Sequence, residues 1–302
     1  MATMLPTTPP TSRPCTVHPV LVLGIGILAV STASTFIRLA QGTVDSLAVA
    51  AWRLTLASLL LAPWALKSCR AEWRRLDTRS WRLLAASGVM LAIHFYAWIT
   101  SLEMTSVAAS AVLVGTNPLF VGLISHFILQ EHLRKRMLVG ILIAVAGSAI
   151  ISLGDWSAGA HQLRGDLLAV AGAVTVAVYM LIGRRLRGQL SLLGYVFPVY
   201  GIAALTLMIL AFIVGVRLTG YPTQAWVWLV LLAIFPQIVG HSSFNWALGH
   251  LPATFVSMAA LAEPIGATIL AWIILQESPS WVTVLGGLLI LIGLSTATKQ
   301  EL

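Results

Sequence analysis

Ten apolar runs, each about the length of one bilayer crossing, follow one another along a chain of 302 residues. They fall at 18–40, 45–66, 80–102, 106–128, 136–153, 166–184, 191–215, 225–249, 252–275 and 280–298. A helix needs about 20 apolar residues to cross a hydrocarbon core roughly 30 Å thick. The runs are too long for barrel strands, and a segment in lipid must satisfy its own backbone hydrogen bonds, so each run predicts a helix. Charged residues are only 9% of the chain, against roughly a quarter in a soluble domain. The outer surface must therefore meet the lipid bilayer. The net charge of +8 does not point to nucleic acid, because the basic residues form short clusters between apolar runs and no single patch. The expected fold is all-α and integral to the membrane, with ten transmembrane helices.

The basic residues also set an orientation. With the N-terminus and alternate loops in the cytoplasm, that side receives Arg13, the cluster from Lys67 to Arg82, Arg134 to Arg136, Arg184, Arg185, Arg187 and Lys299. The other side keeps Arg38, Arg164 and Arg217, while Arg53 lies within a span. This asymmetry predicts that both termini are cytoplasmic. Cys15 and Cys69 then also lie on the cytoplasmic side, where a disulfide is not expected. Ala29-Val30-Ser31 could end a signal peptide, but the apolar run outlasts an ordinary signal core, so a retained helix is favoured. The expected location is the plasma membrane (the bacterial inner membrane), crossed many times.

A displacement of 146 residues brings the two halves into register, carrying Pro118 onto Pro264 and Ile128-Leu129-Gln130-Glu131 onto Ile274-Leu275-Gln276-Glu277. Gly140 falls on Gly286, Gly147 on Gly293 and Arg38 on Arg184. The displacement covers five helices, an odd number, so equivalent helices cross the bilayer in opposite directions. That predicts a 5+5 inverted-topology repeat with a binding site near the midplane between the halves. The organisation is a disordered tail at 1–17, a first repeat at 18–153, an external linker at 154–165, a second repeat at 166–298 and a tail at 299–302. The paired glycines predict close helix packing.

This paired five-helix pattern, Arg53 within Ala51-Trp52-Arg53-Leu54, and Glu263-Pro264 followed by Gln276-Glu277 resemble the EamA-type branch of the drug/metabolite transporter superfamily. The similarity extends from about residue 18 to residue 298. It implies ten helices, cytoplasmic termini and solute export, often of amino acids or related metabolites. The aromatic content is most similar to that of the aromatic amino-acid exporters of the group. Where the second half has Glu263-Pro264 the first has Asn117-Pro118, so any role of that carboxylate belongs to one half alone.

Ionisable groups within spans cost about 2.5–3.5 kcal/mol to insert and are the first candidates for function. Glu263 either faces a hydrated cavity, binding a cationic group or titrating during transport, or is a structural carboxylate paired with Arg53. Arg53 could grip a substrate carboxylate, snorkel, or pair with Glu263. His94 and His241 fall in equivalent spans, the first with Ser87, Trp98 and Ser101 at helical spacing. Gln237, His241 and Asn245 recur every fourth residue, a polar stripe that should line a cavity. Tyr96, Trp98, Tyr179 and Trp246 lie away from the interfaces, as core or cavity aromatics. Trp64, Trp73, Trp81, Trp226 and Trp281 lie near span ends and read as an interfacial belt. Asn117 adjoins Pro118, which with Pro264 forms a pair of hinge candidates, whereas Pro198 and Pro236 read as kinks. Glu131 and Glu277 are read as fixing the turns that follow their helices. Gly24 to Ala29 carries the letters of a dinucleotide fingerprint, but inside an apolar helix with no strand before it.

The chain has neither His-Glu-x-x-His nor Gly-x-Ser-x-Gly, so catalytic residues, a metal centre and a cofactor are not expected. The sequence favours a secondary transporter for a small-molecule substrate over an intramembrane enzyme or a non-transporting assembly subunit. It does not set the oligomeric state, and a monomer is compatible with it.

Overall fold

The computed structural model describes residues 18–129 and 135–298. Cys15, Glu131 and the two tails lie outside them. Every regular element among the described residues is a helix, and they contain no strand. We label the long helical segments in chain order. The first is α1, Pro19–Gln41, then α2, Ser46–Ser68, and α3, Thr78–Met104. Next come α4, made of Val107–Val114 and Asn117–Leu129, and α5, Lys135–Ala158. The second half has α6, Ala160–Arg187, α7, Leu192–Val214, and α8, Thr223–Leu248. It closes with α9, made of Ala253–Ala259 and Glu263–Leu275, and α10, Trp281–Thr298. All but α5 and α10, eight helices in total, are long and apolar enough to cross a membrane. α5 and α10 hold shorter apolar stretches, Leu142–Ile151 and Trp281–Gly293.

Side chains placed just before the helices start them. Asp45 accepts from the Leu47 amide and Asp77 from the Ser80 amide, at 2.8 Å each. Ser106 and Ser191 cap α4 and α7 in the same way, each through the amide three residues on, at 3.0 Å. Each cap satisfies an amide that the first turn leaves without an intrahelical partner. The hydrogen bond from Ser80 also holds the Asp77 carboxyl below its ordinary range. At the other end, Gly215 terminates α7 with φ 79°. Gln276 terminates α9 with φ 57° although it carries a side chain, a left-handed conformation that costs a non-glycine residue energy.

Small residues decide which helices touch. α5 runs along α10, α3 along α6, and α2 along α7. A Cβ built on Gly147 would stand 2.6 Å from the Gly286 carbonyl oxygen, and one on Gly286 would stand 2.7 Å from that of Gly147. One on Gly293 would come within 2.5 Å of the Gly140 carbonyl oxygen. The glycines paired in sequence thus form one interface at which two backbones touch, as membrane helices without a hydrophobic driving force between them require. A second close crossing joins α1 to α8, where a Cβ on Gly240 would meet the Val30 side chain at 2.5 Å.

The tryptophans near span ends differ in exposure. Trp64, Trp81 and Trp281 are exposed. Trp73 instead turns inward, donating to the Gly194 carbonyl at 2.9 Å and stacking on Phe197. Trp226 packs edge-on against Trp52 at 4.9 Å. Both are half-buried, their rings held by partners on neighbouring elements.

Gly147→Ala should lower the thermal unfolding temperature of the purified protein by several degrees. Overpacking costs about 1–3 kcal/mol, and the atom met here is a backbone oxygen. Gly24→Ala, with nothing within 4 Å of the added carbon, should leave that temperature unchanged. Equal behaviour of the two variants would contradict the close α5–α10 contact.

Candidate functional site

Two of the helices are interrupted at equivalent depth. α4 stops at Val114, and its helix resumes at Asn117. α9 passes through a 3₁₀ turn at Ala260–Ala262 and resumes at Glu263. In each case proline is the second residue of the new helix, where its missing N–H removes a donor that would have had no partner. The breaks are the ones expected from Pro118 and Pro264. They aim Asn117 and Glu263 into the space between helices, and Glu263 sits in a first turn, where the helix dipole favours a carboxylate.

That space is a cavity lined from α3, α4, α6, α8 and α9. Its walls include His94, Trp98, Asn117, Tyr179, His241, Phe244, Asn245 and Glu263, with Val114, Met180, Leu248 and Ala260 between them. Its volume is about 50 Å³, room for a few waters and far below the roughly 300 Å³ or more of a site that encloses a drug-sized ligand. His94 Nδ1 bonds the Gly172 carbonyl at 2.9 Å. A carbonyl only accepts, so Nδ1 carries the proton and Nε2 of the neutral ring is an acceptor. The His94 and His241 rings are 6.3 Å apart, and His241 meets Phe95 edge-on at 5.1 Å. Asn245 is fully engaged, accepting from the Tyr179 hydroxyl at 2.8 Å and donating to the His241 carbonyl at 2.8 Å. The Glu263 carboxylate faces this space without a hydrogen bond or ion pair to any described residue.

Behind the cavity wall lies Arg53, with 0% of its surface exposed. Its Nε donates to Gln237 Oε1 at 2.8 Å, and its guanidinium stands 4.2 Å from the centre of the Phe95 ring. Such a cation–π contact contributes about 2 kcal/mol when desolvated. Nη1 and Nη2 have no partner among the described residues. The field of Glu263 reaches Arg53, but no ion pair joins them, so the direct Arg53–Glu263 pair that the sequence allowed is absent.

The other candidates divide by helix geometry. Tyr96 is 38% exposed and does not line the cavity, because two residues along a helix from His94 turn a side chain to the opposite face. Trp246 also lies off the cavity, stacked on His250 at 4.1 Å. The stripe of Gln237, His241 and Asn245 splits, because Ala233–His241 forms a π-helix around Pro236. Its wider i→i+5 turns offset residues four apart, so Gln237 serves Arg53 while His241 and Asn245 reach the cavity.

Three features escape a sequence reading. Phe244 lines the cavity opposite Trp98, and the 146-residue register does carry Trp98 onto it. Tyr195 and Tyr200 of α7 are buried, joined to Ser87 at 2.7 Å and Ser242 at 3.2 Å, and hydropathy alone marks them as core. The backbone N–H of Glu277 closes the end of its own helix on the Ala271 carbonyl at 3.2 Å, while its carboxylate ties distant elements. Its Oε1 accepts from the Val107 amide that opens α4, at 2.6 Å, and its Oε2 pairs with Arg38 of α1, at 3.1 Å.

The sequence profile of the EamA-like transporter family matches residues 19–153 and again 163–298. An uncharacterized transporter of Clostridium kluyveri is 27% identical over 262 residues, covering 84% of this chain and 83% of its own length. One of Archaeoglobus fulgidus is 25% identical over 295 residues, covering 93% and 97%. A solved crystal structure superposes with a TM-score of 0.67 at 22% identity, over 93% of this chain and 96% of that one, a likeness of fold.

In a background lacking Cys15 and Cys69, single cysteines at Asn117 and Phe244 should react with a small water-soluble thiol reagent in membranes. One at Tyr96 should not, because it faces outward from α3. Labelling of Tyr96→Cys with both others silent would refute this placement of the cavity.

Proposed function

The chain belongs to the EamA-like transporter family, and from that premise we propose that it exports amino acids with large apolar or aromatic side chains, or related small metabolites, as a secondary transporter working by alternating access. It is a multi-pass membrane transporter. The proposed architecture is ten crossings in two inverted repeats, 18–153 and 166–298, joined by an external linker at 154–165. The tails at 1–17 and 299–302 lie on the cytoplasmic side of a plasma membrane, the bacterial inner membrane. A helix rises about 1.5 Å per residue, so α5, with 24 residues, and α10, with 18, are long enough to join the eight other spans in crossing.

One observation carries this reading. In the 146-residue register Trp98 answers to Phe244, Val114 to Ala260 and Asn117 to Glu263, and both members of all three pairs line one cavity. A cavity centred on the axis between two repeats is where a transporter of this design binds its substrate. The double match of the family profile and the helix breaks at Ala260–Ala262 and between Val114 and Asn117 support the same symmetry.

Substrate class follows from what the cavity offers. The unpaired Glu263 carboxylate suits an ammonium group, while Asn117 and the histidines offer further polar contacts. Trp98, Phe244 and Tyr179 offer ring faces, each adding about 0.5–1.5 kcal/mol to an aromatic ligand beyond area burial. That is enough for preference and too little for strict selection, so the pocket is broad. A volume of about 50 Å³ is too small for an amino acid, so loading it requires the halves to part. The Glu277 tie to Arg38 and Val107 closes the end of the bundle opposite Leu248. In the proposed topology that end is external and the cavity is nearer the cytoplasm. Opening outward then breaks this tie, with α4 and α9 bending at Pro118 and Pro264.

The protein reconstituted in liposomes should carry labelled phenylalanine and other large apolar amino acids. Glu263→Gln should insert and fold yet cut that flux at least tenfold. Trp98→Ala should weaken phenylalanine more than alanine. Flux unchanged in Glu263→Gln would remove the carboxylate from the mechanism, and absence of all amino-acid flux would reject the substrate class.

A further inference from the structure

We infer that Arg53 is the core of an anion-accepting subsite behind the cavity wall, able to take a substrate carboxylate or a free halide ion. For the first of these sources the inference rests on the transport reading given above. The guanidinium is sealed from the surface, and among the described residues only its Nε has a partner, the Gln237 amide oxygen. Nη1 and Nη2 find no acceptor among those residues. The ring of Trp98, which lines the cavity, has its centre 6.0 Å from the guanidinium carbon, and its indole Nε1 is also buried and without a partner among the described residues.

These orphaned groups are of one kind. A guanidinium and an indole N–H only donate, so whatever completes them must accept hydrogen bonds. A buried positive charge further requires a counter-charge, because breaking or omitting such a pairing is strongly destabilising. Water could accept the hydrogen bonds but could not neutralise the charge. Glu263, the carboxylate whose field Arg53 feels, forms no ion pair with it. The other groups acting on this region are His94, His241 and Tyr200, and none is an anion at neutral pH in its ordinary form. No described carboxylate therefore touches the guanidinium, and its Nη atoms are left for an outside acceptor.

The repeat sharpens the point. In the 146-residue register Arg53 answers to Val199 and Glu263 to Asn117. In and just behind the cavity wall the two halves thus differ at a cationic position, Arg53, and at an anionic one, Glu263. A cavity bracketed in this way suits a zwitterion, with its ammonium toward Glu263 and its carboxylate toward Arg53.

The test is thermal unfolding of the purified full chain in detergent, first in sodium gluconate, whose bulky anion does not fit. Sodium chloride, phenylalanine or phenylalaninamide, which keeps the ring and ammonium but lacks the carboxylate, is then added. Wild type should unfold about 2 °C or more higher with chloride or with phenylalanine, and by distinctly less with phenylalaninamide. A rise with chloride identifies a free-halide site, and a rise with phenylalanine alone identifies the substrate carboxylate. Arg53→Gln should respond to neither, and Arg53→Lys should retain a reduced response. A wild type equally stable in all four conditions overturns the inference whether or not Arg53→Gln folds, as does an equal response of wild type and Arg53→Gln. The readout involves no flux. Stabilisation by anions without transport would count against the transport reading alone, and transport without stabilisation would count against this subsite alone.

Discussion

The group hardest to place in this molecule is the Arg53 guanidinium. A full positive charge lies at membrane depth with no surface exposed, and several kilocalories per mole stand against it there. Its surroundings are arranged in answer. Phe95 presents a ring face, and Gln237 a carbonyl oxygen from a different half of the chain. Gln237 reaches Arg53 because the helix that carries it loosens into π turns around Pro236. Those same turns separate Gln237 from His241 and Asn245, which pass to the cavity. One buried charge thus orders α2, α3 and α8 around the space that the rest of the molecule encloses.

Enclosing that space falls to residues with little chemistry of their own. Glycine contacts between α5 and α10 and between α1 and α8 draw backbones together, while the interruptions of α4 and α9 open a gap at mid-depth. Close packing at the periphery and broken helices at the centre are complementary. In the proposed transport cycle the first would give bodies that move as units, and the second the points at which they bend.

Much of this is legible in the sequence because it depends on local chemistry. Apolar runs of bilayer length, Pro118 and Pro264 at helix breaks, and glycines seven apart at a helix contact all act through the backbone of their own segment. What could not be read depends on rotation and on distant partners. Tyr96 and Trp98 are two residues apart and face opposite ways. The polar stripe on α8 is straight only if the helix is α throughout. Glu277 reads as a terminator of its own helix, yet its carboxylate joins the start of α4 to the end of α1. Nor does any local pattern reveal that Arg53 and Glu263 approach the same region without pairing.

The central claim is that solute passes through the cavity shared by Asn117 and Glu263. Its most direct test is phenylalanine counterflow by Asn117→Cys liposomes, in a chain otherwise without cysteine, before and after modification by a thiol reagent. The account predicts that modification stops counterflow and that excess phenylalanine slows the modification. Complete modification of residue 117 with counterflow undiminished would contradict it.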